Sequence, residues 1–501
     1  MEVFMEKIAQ INGAVNGVVW GIPMLILLIG TGILMTLGTK FFQLSHFGHW
    51  MKETIGGIFI NKHVTAHTGH EDRQISQFQA LCTALAATIG VGNIAGVASA
   101  IAAGGPGAVF WMWIAALFGM MTNYSENVLG IFYRRKNEHG EWCGGAMYYL
   151  RDGLGSKKGC KQLGKALGIL FSIFCVLASF GIGNMSQVNT IAANMHSVFS
   201  APVWATGIVL TILAGLVIIG GIKRIASVTE KVVPFMAVIY IVGALTIFIM
   251  HFGRAGEIFG AIFRGAFGLD AVSGGILGAV VSKVVTMGFK RGVFSNEAGL
   301  GSSVMVHSAS NVKEPVKQGM WGIFEVFFDT IIVCTLTAFV ILSSGLVDLE
   351  TGLMISTAKE TALVSKAFET VFGSAGGVFI ALAVLFFAFS TVLGWSFYGT
   401  KAFEFLFGTK ATVGYKIVFV LFIMCGATMK LDLAWDISDT FNGLMALPNL
   451  IGVLVLSGTV FAITKNYAKR KFHGQTIEPM ISAFPEIQKM QVEQMKQDGE
   501  L

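Results

Sequence analysis

Two short glycine-rich segments carry the residue types that could hold a small polar ligand. They read Thr88-Ile-Gly-Val-Gly-Asn93 and Asn296-Glu-Ala-Gly-Leu-Gly-Ser-Ser303. Glycine loses more backbone freedom in a helix than any other residue, so a Gly-x-Gly within an apolar span predicts a place where the helix opens. An opened helix leaves N–H and C=O groups unpaired, and a membrane tolerates these only where protein, an ion or a ligand satisfies them. The two segments therefore predict a binding site built from broken helices, as in transporters.

The chemistry of such a site follows from the ends of the half-helices. Their N-termini attract anions and their C-terminal carbonyls attract cations. A zwitterionic amino acid fits both, with its carboxylate at the amides near Val91 and Gly92 and its ammonium at the carbonyls of 294–298. Ser390 and Thr391 add two hydroxyls beside the Phe387 carbonyl, and uncharged oxygens of this kind can bind sodium.

The elements that must position these residues are membrane-spanning helices. The chain has 501 residues, of which 54% are hydrophobic and 13% charged, against about 25% charged in soluble domains. Several charge-free stretches exceed the ~20 residues that cross a bilayer. The apolar runs predict eleven all-α spans at 17–38, 78–103, 107–132, 164–197, 202–221, 229–251, 274–310, 315–344, 374–406, 412–428 and 438–463.

Charge distribution predicts the orientation of these spans. An extracellular N-terminus and a cytoplasmic C-terminus place most of the 35 lysines and arginines in cytoplasmic connections, as the positive-inside rule requires. Orientation thus explains the net charge of +6 without a nucleic-acid partner. The first span is too long for a signal peptide, and the six cysteines suggest neither disulfides nor a zinc site.

The two breaks belong to a predicted internal repeat. Gly90 lies as far from Gly299 along the chain as Pro106 lies from Pro315. This offset covers five spans, so the second copy crosses the membrane in the opposite sense, which gives a five-plus-five inverted repeat with one extra N-terminal helix. The predicted parts are an N-terminal span and connection at 1–77, the first repeat at 78–251, the second at 272–463 and a cytoplasmic tail at 464–501, all forming one transport domain.

Three longer motifs carry a family resemblance. The segments 84–97 (ALAATIGVGNIAGV), 104–113 (GGPGAVFWMW) and 288–302 (GFKRGVFSNEAGLGS) closely resemble the alanine or glycine:cation symporter family of bacteria and archaea. The resemblance runs through roughly residues 10–470. It implies a leucine-transporter-type fold with broken first and sixth core helices. It also implies sodium-coupled uptake of a small neutral amino acid across the cell membrane.

The resemblance also assigns individual residues. It implies a sodium site from the carbonyls of Ala86, Ile89 and Phe387 and the hydroxyls of Ser390 and Thr391. The implied substrate site has Thr88, Gly90, Val91 and Gly92 at the carboxylate, Ser295, Asn296 and Gly299 at the ammonium, and Phe180 and Trp395 as walls around the side chain.

Four charged residues in or near the spans need separate explanations. Lys290, Arg291 and Glu297 have no simple counterpart in the wider fold, and they predict either an ion network that holds the second broken helix or a gate. Glu126 lies within a span, where an ionisable residue is expensive and usually has a partner. We expect it to accept hydrogen bonds from the opened backbone at 294–301.

The predicted function is secondary active symport of alanine or glycine with sodium by alternating access. Its partners are the amino acid, sodium and the lipid bilayer, with no organic cofactor and no obligate protein partner evident. The alternatives are a sodium- or proton-coupled transporter of a larger neutral amino acid such as glutamine, and an ion channel. An enzyme is not expected, because no nucleophile–base pair or metal cluster is recognisable, and no ATP-binding Gly-x-x-x-x-Gly-Lys-Ser/Thr motif occurs. Preferred amino acid, enantiomer, coupling ion, stoichiometry and oligomeric state stay open.

Overall fold

A computed structural model describes residues 2–67, 74–268, 277–429 and 432–499. The proposed domain boundary at 272 lies outside these residues. The helices of the first part are α1 Glu2–Val19, α2 Ile22–Gly38, α3 Phe42–Ser45, α4 Phe47–Met51, α5 Gly57–Ile60, α6 Lys62–Thr65, α7 Gln77–Thr88, α8 Val97–Gly104, α9 Gly107–Phe132, α10 Ala146–Tyr148, α11 Lys161–Phe180, α12 Ser186–Phe199, α13 Val203–Ile218, α14 Gly221–Met250 and α15 Ala255–Ala266. A two-residue antiparallel ladder, β1 Arg135–Lys136 with β2 Trp142–Cys143, follows α9.

The second part continues the helical pattern. Its helices are α16 Leu277–Asn296, α17 Val304–His307, α18 Pro315–Val326, α19 Thr335–Ser343, α20 Glu360–Phe372, α21 Ser374–Phe407, α22 Thr412–Thr428, α23 Asp432–Val455, α24 Ser457–Lys471 and α25 Pro485–Gln497. Among the described residues, six helices are long and apolar enough to cross a membrane, and two bent pairs raise that number to eight. The protein is therefore a multi-pass, predominantly helical membrane protein.

The first predicted break is confirmed. A capping box between Ser76 and Gln79 starts α7, which ends at Thr88. The chain turns through Ile89 and resumes as a π-turn over Gly92–Gly96 that leads into α8. The two halves meet at 51°. The glycines allow the turn within a buried segment.

The second break interrupts the span that the sequence predicts over 274–310. Helix α16 ends at Asn296, and Glu297, Gly299 and Gly301 then take positive φ angles of 57°, 93° and 72°. Right-handed helix cannot continue through residues with positive φ. The half-helix beyond the break, α17, is only four residues long.

Helices from both halves pack around the two breaks. Helix α9 packs against α16 and α18, and α21 packs against α7, α11 and α12. Helix α20, from the second half, lies over α8 and the π-turn of the first break. Each break is thus surrounded by helices from distant parts of the chain, which exclude lipid from its opened backbone.

Candidate functional site

A small cavity lies between the two breaks. Its volume of about 20 Å³ is room for about one water molecule. It is lined by Ala87, Thr88, Gly90, Gly92, Ile182, Gln187, Phe294, Glu297, Thr391, Trp395 and Asn442. The cavity is therefore surrounded by both breaks and by helices α12, α21 and α23.

The structure brings several of the predicted substrate residues to this cavity. Thr88, Gly90, Gly92 and Trp395 all line it. Val91 lies at the same break, and its backbone N–H donates to Gln187 Oε1 at 3.5 Å. The residues predicted at the carboxylate end are thus grouped at one end of the first half-helix.

The residues predicted at the ammonium end do not line the cavity. Ser295 Oγ donates to Asp329 Oδ2 at 2.8 Å, and Asn296 Nδ2 donates to Thr330 Oγ1 at 3.0 Å. The Gly299 carbonyl accepts from the Asn449 side chain at 2.9 Å. These side chains and this carbonyl hold the second break in place, and Phe294 and Glu297 face the cavity in their stead.

Phe180 also lies elsewhere. Its ring packs against Tyr415, Phe419 and Phe422, with ring centroids 5.4, 5.7 and 5.0 Å away. Helix α11 ends at Phe180, and this end faces α22. The predicted wall at Phe180 is therefore a packing contact between helices.

Glu297 lines the inner cavity, although the sequence analysis assigned it to an ion network or a gate and not to the substrate site. Its Oε1 accepts from Trp395 Nε1 at 3.0 Å, and its Oε2 accepts from Ser302 Oγ. Its side chain is fully buried, with a positive φ that is uncommon outside glycine. Because an ionisable residue within a membrane span usually has a functional role, the position of Glu297 inside a break could have indicated this site from the sequence. Gln187, also missed, follows a π-turn and gave no comparable signal.

The predicted sodium residues converge between α7 and α21. Ser390 Oγ donates to the carbonyls of Phe387 at 2.9 Å and Ala86 at 3.3 Å. Thr391 Oγ1 donates to the same two carbonyls at 3.0 and 3.1 Å. Ile89 is buried at the break, one turn beyond Ala86. Four uncharged oxygens from two helices thus meet beside the cavity, which Thr391 also lines.

A buried carboxylate joins the two breaks on their other side. Asp329 Oδ1 accepts from Asn93 Nδ2 at 2.7 Å, and Oδ2 accepts from Ser295 Oγ and Thr330 Oγ1, each at 2.8 Å. Within the described ranges no lysine or arginine pairs with Asp329. Its charge is satisfied by neutral donors, one from each break and one from its own helix.

Glu126 lies beside the second break and is joined to it through a side-chain amide. Asn449 Nδ2 donates to both Glu126 and the Gly299 carbonyl. A carboxylate that accepts a hydrogen bond is stabilised in a site away from water. Asn449 thus links Glu126 to the opened backbone, in place of the direct backbone bonds that the sequence predicted.

A second, larger cavity lies on the predicted extracellular side, and we call it the vestibule. It has a volume of about 450 Å³ and is lined by residues that include Asn16, Lys290, Arg291, Glu360 and Asp439. Val91 and Phe294 also line it. Because Phe294 borders both cavities, its ring forms part of the wall between them.

The charged residues of the second broken helix do not form one network. Lys290 Nζ pairs with Asp439 Oδ2 at 2.7 Å, whereas Glu297 hydrogen-bonds Trp395 and Ser302. Lys290 and Arg291 face the vestibule, and Glu297 faces the inner cavity. Of the two predicted alternatives, the ion network is wrong, because Phe294 separates the cations from the carboxylate, and the gate stays a prediction.

The family model described as the sodium:alanine symporter family matches residues 5–481. The chain belongs to this family. It is 46% identical over 463 residues to the sodium/alanine symporter AgcS of Methanococcus maripaludis, covering 92% of this chain and 98% of AgcS. It is 35% identical to the "Probable sodium/glutamine symporter GlnT" of Bacillus subtilis, covering 94% of this chain and 93% of GlnT.

The fold is also found among solved structures. The crystal structure of MhsT in complex with L-phenylalanine superposes with a TM-score of 0.51 at 12% identity, covering 79% of this chain and 99% of MhsT. That likeness shows a leucine-transporter-type fold. Family and fold together make the protein a membrane transporter of the sodium-coupled amino-acid symporter class, and not an enzyme.

Proposed function

We propose that the protein imports alanine or glycine together with sodium by alternating access. The observation that carries this proposal is the cavity between the two breaks, which is lined by Thr391, the neighbour of Ser390 in the proposed sodium site. A cavity of this size must widen for any amino acid, and alanine and glycine require the least widening. The name of AgcS, a sodium/alanine symporter, supports the same substrate class.

The substrate carboxylate is proposed to bind at the first break. Thr88, Gly90 and Gly92 line that end of the cavity, and the absence of side chains at the two glycines lets a ligand approach the backbone closely. The ammonium is proposed to bind near Glu297, whose carboxylate oxygens each keep a further acceptor site after their bonds to Trp395 and Ser302. Trp395 then closes the side-chain end.

Sodium is proposed to bind among the oxygens of Ala86, Ile89, Phe387, Ser390 and Thr391. The two hydroxyls now donate to carbonyls, and rotation of each O–H would turn its lone pairs toward an ion. Thr391 also lines the substrate cavity. A residue shared by both sites gives a direct route by which each ligand favours the other.

The proposed transport cycle uses the five-plus-five inverted repeat. Its eleven spans would place the N-terminus outside the cell membrane and the C-terminus in the cytoplasm. Movement of one repeat against the other would open the inner cavity to each side in turn. The vestibule next to Phe294 is the entry on the extracellular side.

Two other functions make different predictions. A larger substrate such as glutamine is supported by the name of GlnT, but it would require the cavity to expand more than alanine or glycine would. An ion channel requires a continuous pore, whereas the Phe294 ring lies between the inner cavity and the vestibule.

Uptake of radiolabelled alanine into proteoliposomes tests the proposal. We expect an inward sodium gradient to drive accumulation, and unlabelled alanine or glycine to compete better than glutamine. A proton gradient without sodium should not drive uptake. Counterflow of labelled alanine against an internal unlabelled pool would distinguish a carrier from a channel. Stronger competition by glutamine than by alanine, or uptake indifferent to sodium, would contradict the assignment.

A further inference from the structure

A short segment between α17 and α18, residues 308–314, is bonded to the start of α7, and we call it the connection. It pairs with Ile75, the residue before the capping box of α7, in an isolated parallel bridge. The Ile75 N–H donates to the Ala309 carbonyl at 3.2 Å, and the Asn311 N–H donates to the Ile75 carbonyl at 2.8 Å. Because α7 leads into the first break and α17 follows the second, this bridge joins the two broken helices at their ends away from the inner cavity.

Arg134, which lies between α9 and β1, binds the same connection through backbone groups. Its Nη1 donates to the carbonyls of Ser308 at 3.2 Å and Ser310 at 2.8 Å, and its Nη2 donates to the Val312 carbonyl. The three carbonyls belong to every second residue of the connection, and the groups that pair with Ile75 come from the residues between them. One guanidinium therefore fixes the length of backbone that forms the bridge.

The burial of Arg134 is costly. Within the part of the chain that the structure describes, no carboxylate pairs with it, and its Nε has no acceptor. A charge removed from water without a counter-ion loses free energy that neutral carbonyls return only in part. The Trp142 ring adds attraction, because the guanidinium carbon lies 4.2 Å from the ring centroid. A neutral side chain would avoid this cost, so the charge indicates that the three donors to the connection are needed.

The far end of the connection has separate anchors. Glu314 pairs with Arg470 of α24 in a buried salt bridge, and Lys313 pairs with Asp498, the residue after α25. Loss of Arg134 would therefore free the first part of the connection, whereas its last two residues would stay attached. The expected effect is local to the bridge and does not extend to the whole fold.

We propose that Arg134 is a positioning residue that keeps the predicted cytoplasmic side of the transporter closed. It holds Ala309 and Asn311 where they pair with Ile75, and this pairing keeps the ends of α7 and α17 together. Opening toward the cytoplasm breaks the bridge, and Arg134 sets how often that happens. The inference rests on the proposed function, because a carrier that opens to each side in turn needs such a closure.

Hydrogen exchange of the purified full chain in nanodiscs, followed by mass spectrometry, tests the proposal. The amides of Ile75 and Asn311 are the two donors of the bridge. In Arg134→Gln we expect peptides that contain these amides to exchange about tenfold faster than in wild type, the effect of losing one hydrogen bond to a charged group. Peptides from α13 and α22, which pack against each other, should exchange at the wild-type rate.

Two further variants show whether the donors of Arg134 are what matters. Arg134→Lys keeps the charge but replaces the guanidinium fork by one ammonium, so we expect its exchange to lie between those of wild type and Arg134→Gln. Arg135→Gln is the matched control, since this neighbouring arginine is exposed and pairs with Asp152, which keeps Arg151 as a partner. Its exchange at the bridge should match wild type.

A crosslink tests the bridge without a change at Arg134. Ile75→Cys combined with Ser310→Cys places two thiols on residues that are paired across the bridge, at a separation that a disulfide can span. Oxidation should abolish sodium-driven alanine uptake, because the bridge can no longer open, and reduction should restore it. Binding of alanine in sodium should persist in the oxidised protein.

The outcomes separate this inference from the proposed function. Wild-type exchange at the bridge in folded Arg134→Gln would overturn it, and so would exchange that is equally faster in α13 and α22, since Arg134 would then support the whole fold. Uptake by the oxidised double-cysteine protein at the rate of the reduced protein would show that the bridge need not open. Wild-type protein that takes up no alanine with sodium would overturn the proposed function, whereas the exchange comparison would still decide whether Arg134 holds the bridge.

Discussion

Gly90→Ala tests the coupling of sodium to the first break. A Cβ atom at this position would lie 2.4 Å from Thr391 Oγ1, whereas ordinary contacts begin near 3.4 Å. The Thr391 side chain must therefore move by about the 1 Å difference between these distances. Its hydroxyl bonds to Ala86 and Phe387, now 3.1 and 3.0 Å long, would then exceed hydrogen-bonding distance.

The magnitude follows from the loss of one oxygen from the proposed sodium site. Interactions of this kind with a charged group contribute about 1.5–3 kcal/mol. That range corresponds to an increase of about tenfold to a hundredfold in the sodium concentration for half-maximal uptake. We expect maximal uptake at saturating sodium to fall much less, because Gly90→Ala leaves the remaining oxygens in place.

The assay is sodium-dependent alanine uptake in proteoliposomes, with Gly30→Ala as the matched control. A Cβ atom at Gly30 meets nothing within 4 Å, so its sodium dependence should match wild type. Thr391→Ala removes the group that Gly90→Ala displaces. The double variant should consequently be little worse than Thr391→Ala alone, because the two changes act on one contact. An unchanged sodium dependence in folded Gly90→Ala protein, or full additivity in the double variant, would refute the reasoning.

Four further predictions concern the inner site and its support. Ser390→Ala should raise the sodium requirement of uptake about tenfold, and an unaltered sodium titration would remove Ser390 from the site. Trp395→Ala should let bulkier neutral amino acids compete and weaken alanine binding by about 1–3 kcal/mol; an unchanged competition profile contradicts the proposed wall. Gly92→Val should abolish stabilisation by alanine in a thermal melt, whereas Gly92→Ala, whose Cβ would lie 3.4 Å from Phe294 and Ser295, should retain it; stabilisation of both variants argues against binding at this break. Glu126→Gln should lower the stability of the unliganded protein by about 1–3 kcal/mol through weaker bonds to the second break, and a wild-type melting temperature would show that these bonds contribute little.

The sequence predicted the features that local residue types determine. The first helix breaks at the glycines, as the sequence predicted. Ser390 and Thr391 both face the Ala86 carbonyl, because a helix places neighbouring residues at fixed angles. Glu126 lies near the opened backbone, as expected of a buried carboxylate that needs donors, and Asn449 bonds to both.

Features decided by distant partners were not predictable from one sequence. The Ser295 side chain does not line the cavity, because its hydroxyl donates a hydrogen bond to Asp329 on another helix. Phe180 packs against α22, a contact that no pattern near residue 180 encodes. The predicted eleven spans, five-plus-five repeat and membrane orientation stay predictions, since the described helices alone do not test them.

Helix α23 touches all three regions of the proposed pathway. Asp439 faces the vestibule, Asn442 lines the inner cavity, and Asn449 bonds to the Gly299 carbonyl of the second break. At a rise of about 1.5 Å per residue, these contacts extend over roughly 15 Å of a single helix. All three contacts lie within one helix, so a movement of α23 changes them together. The distance from a label on α23 to a label elsewhere in the protein would therefore change in successive steps. These steps would follow the arrival of the amino acid, its transfer inward and the change at the second break.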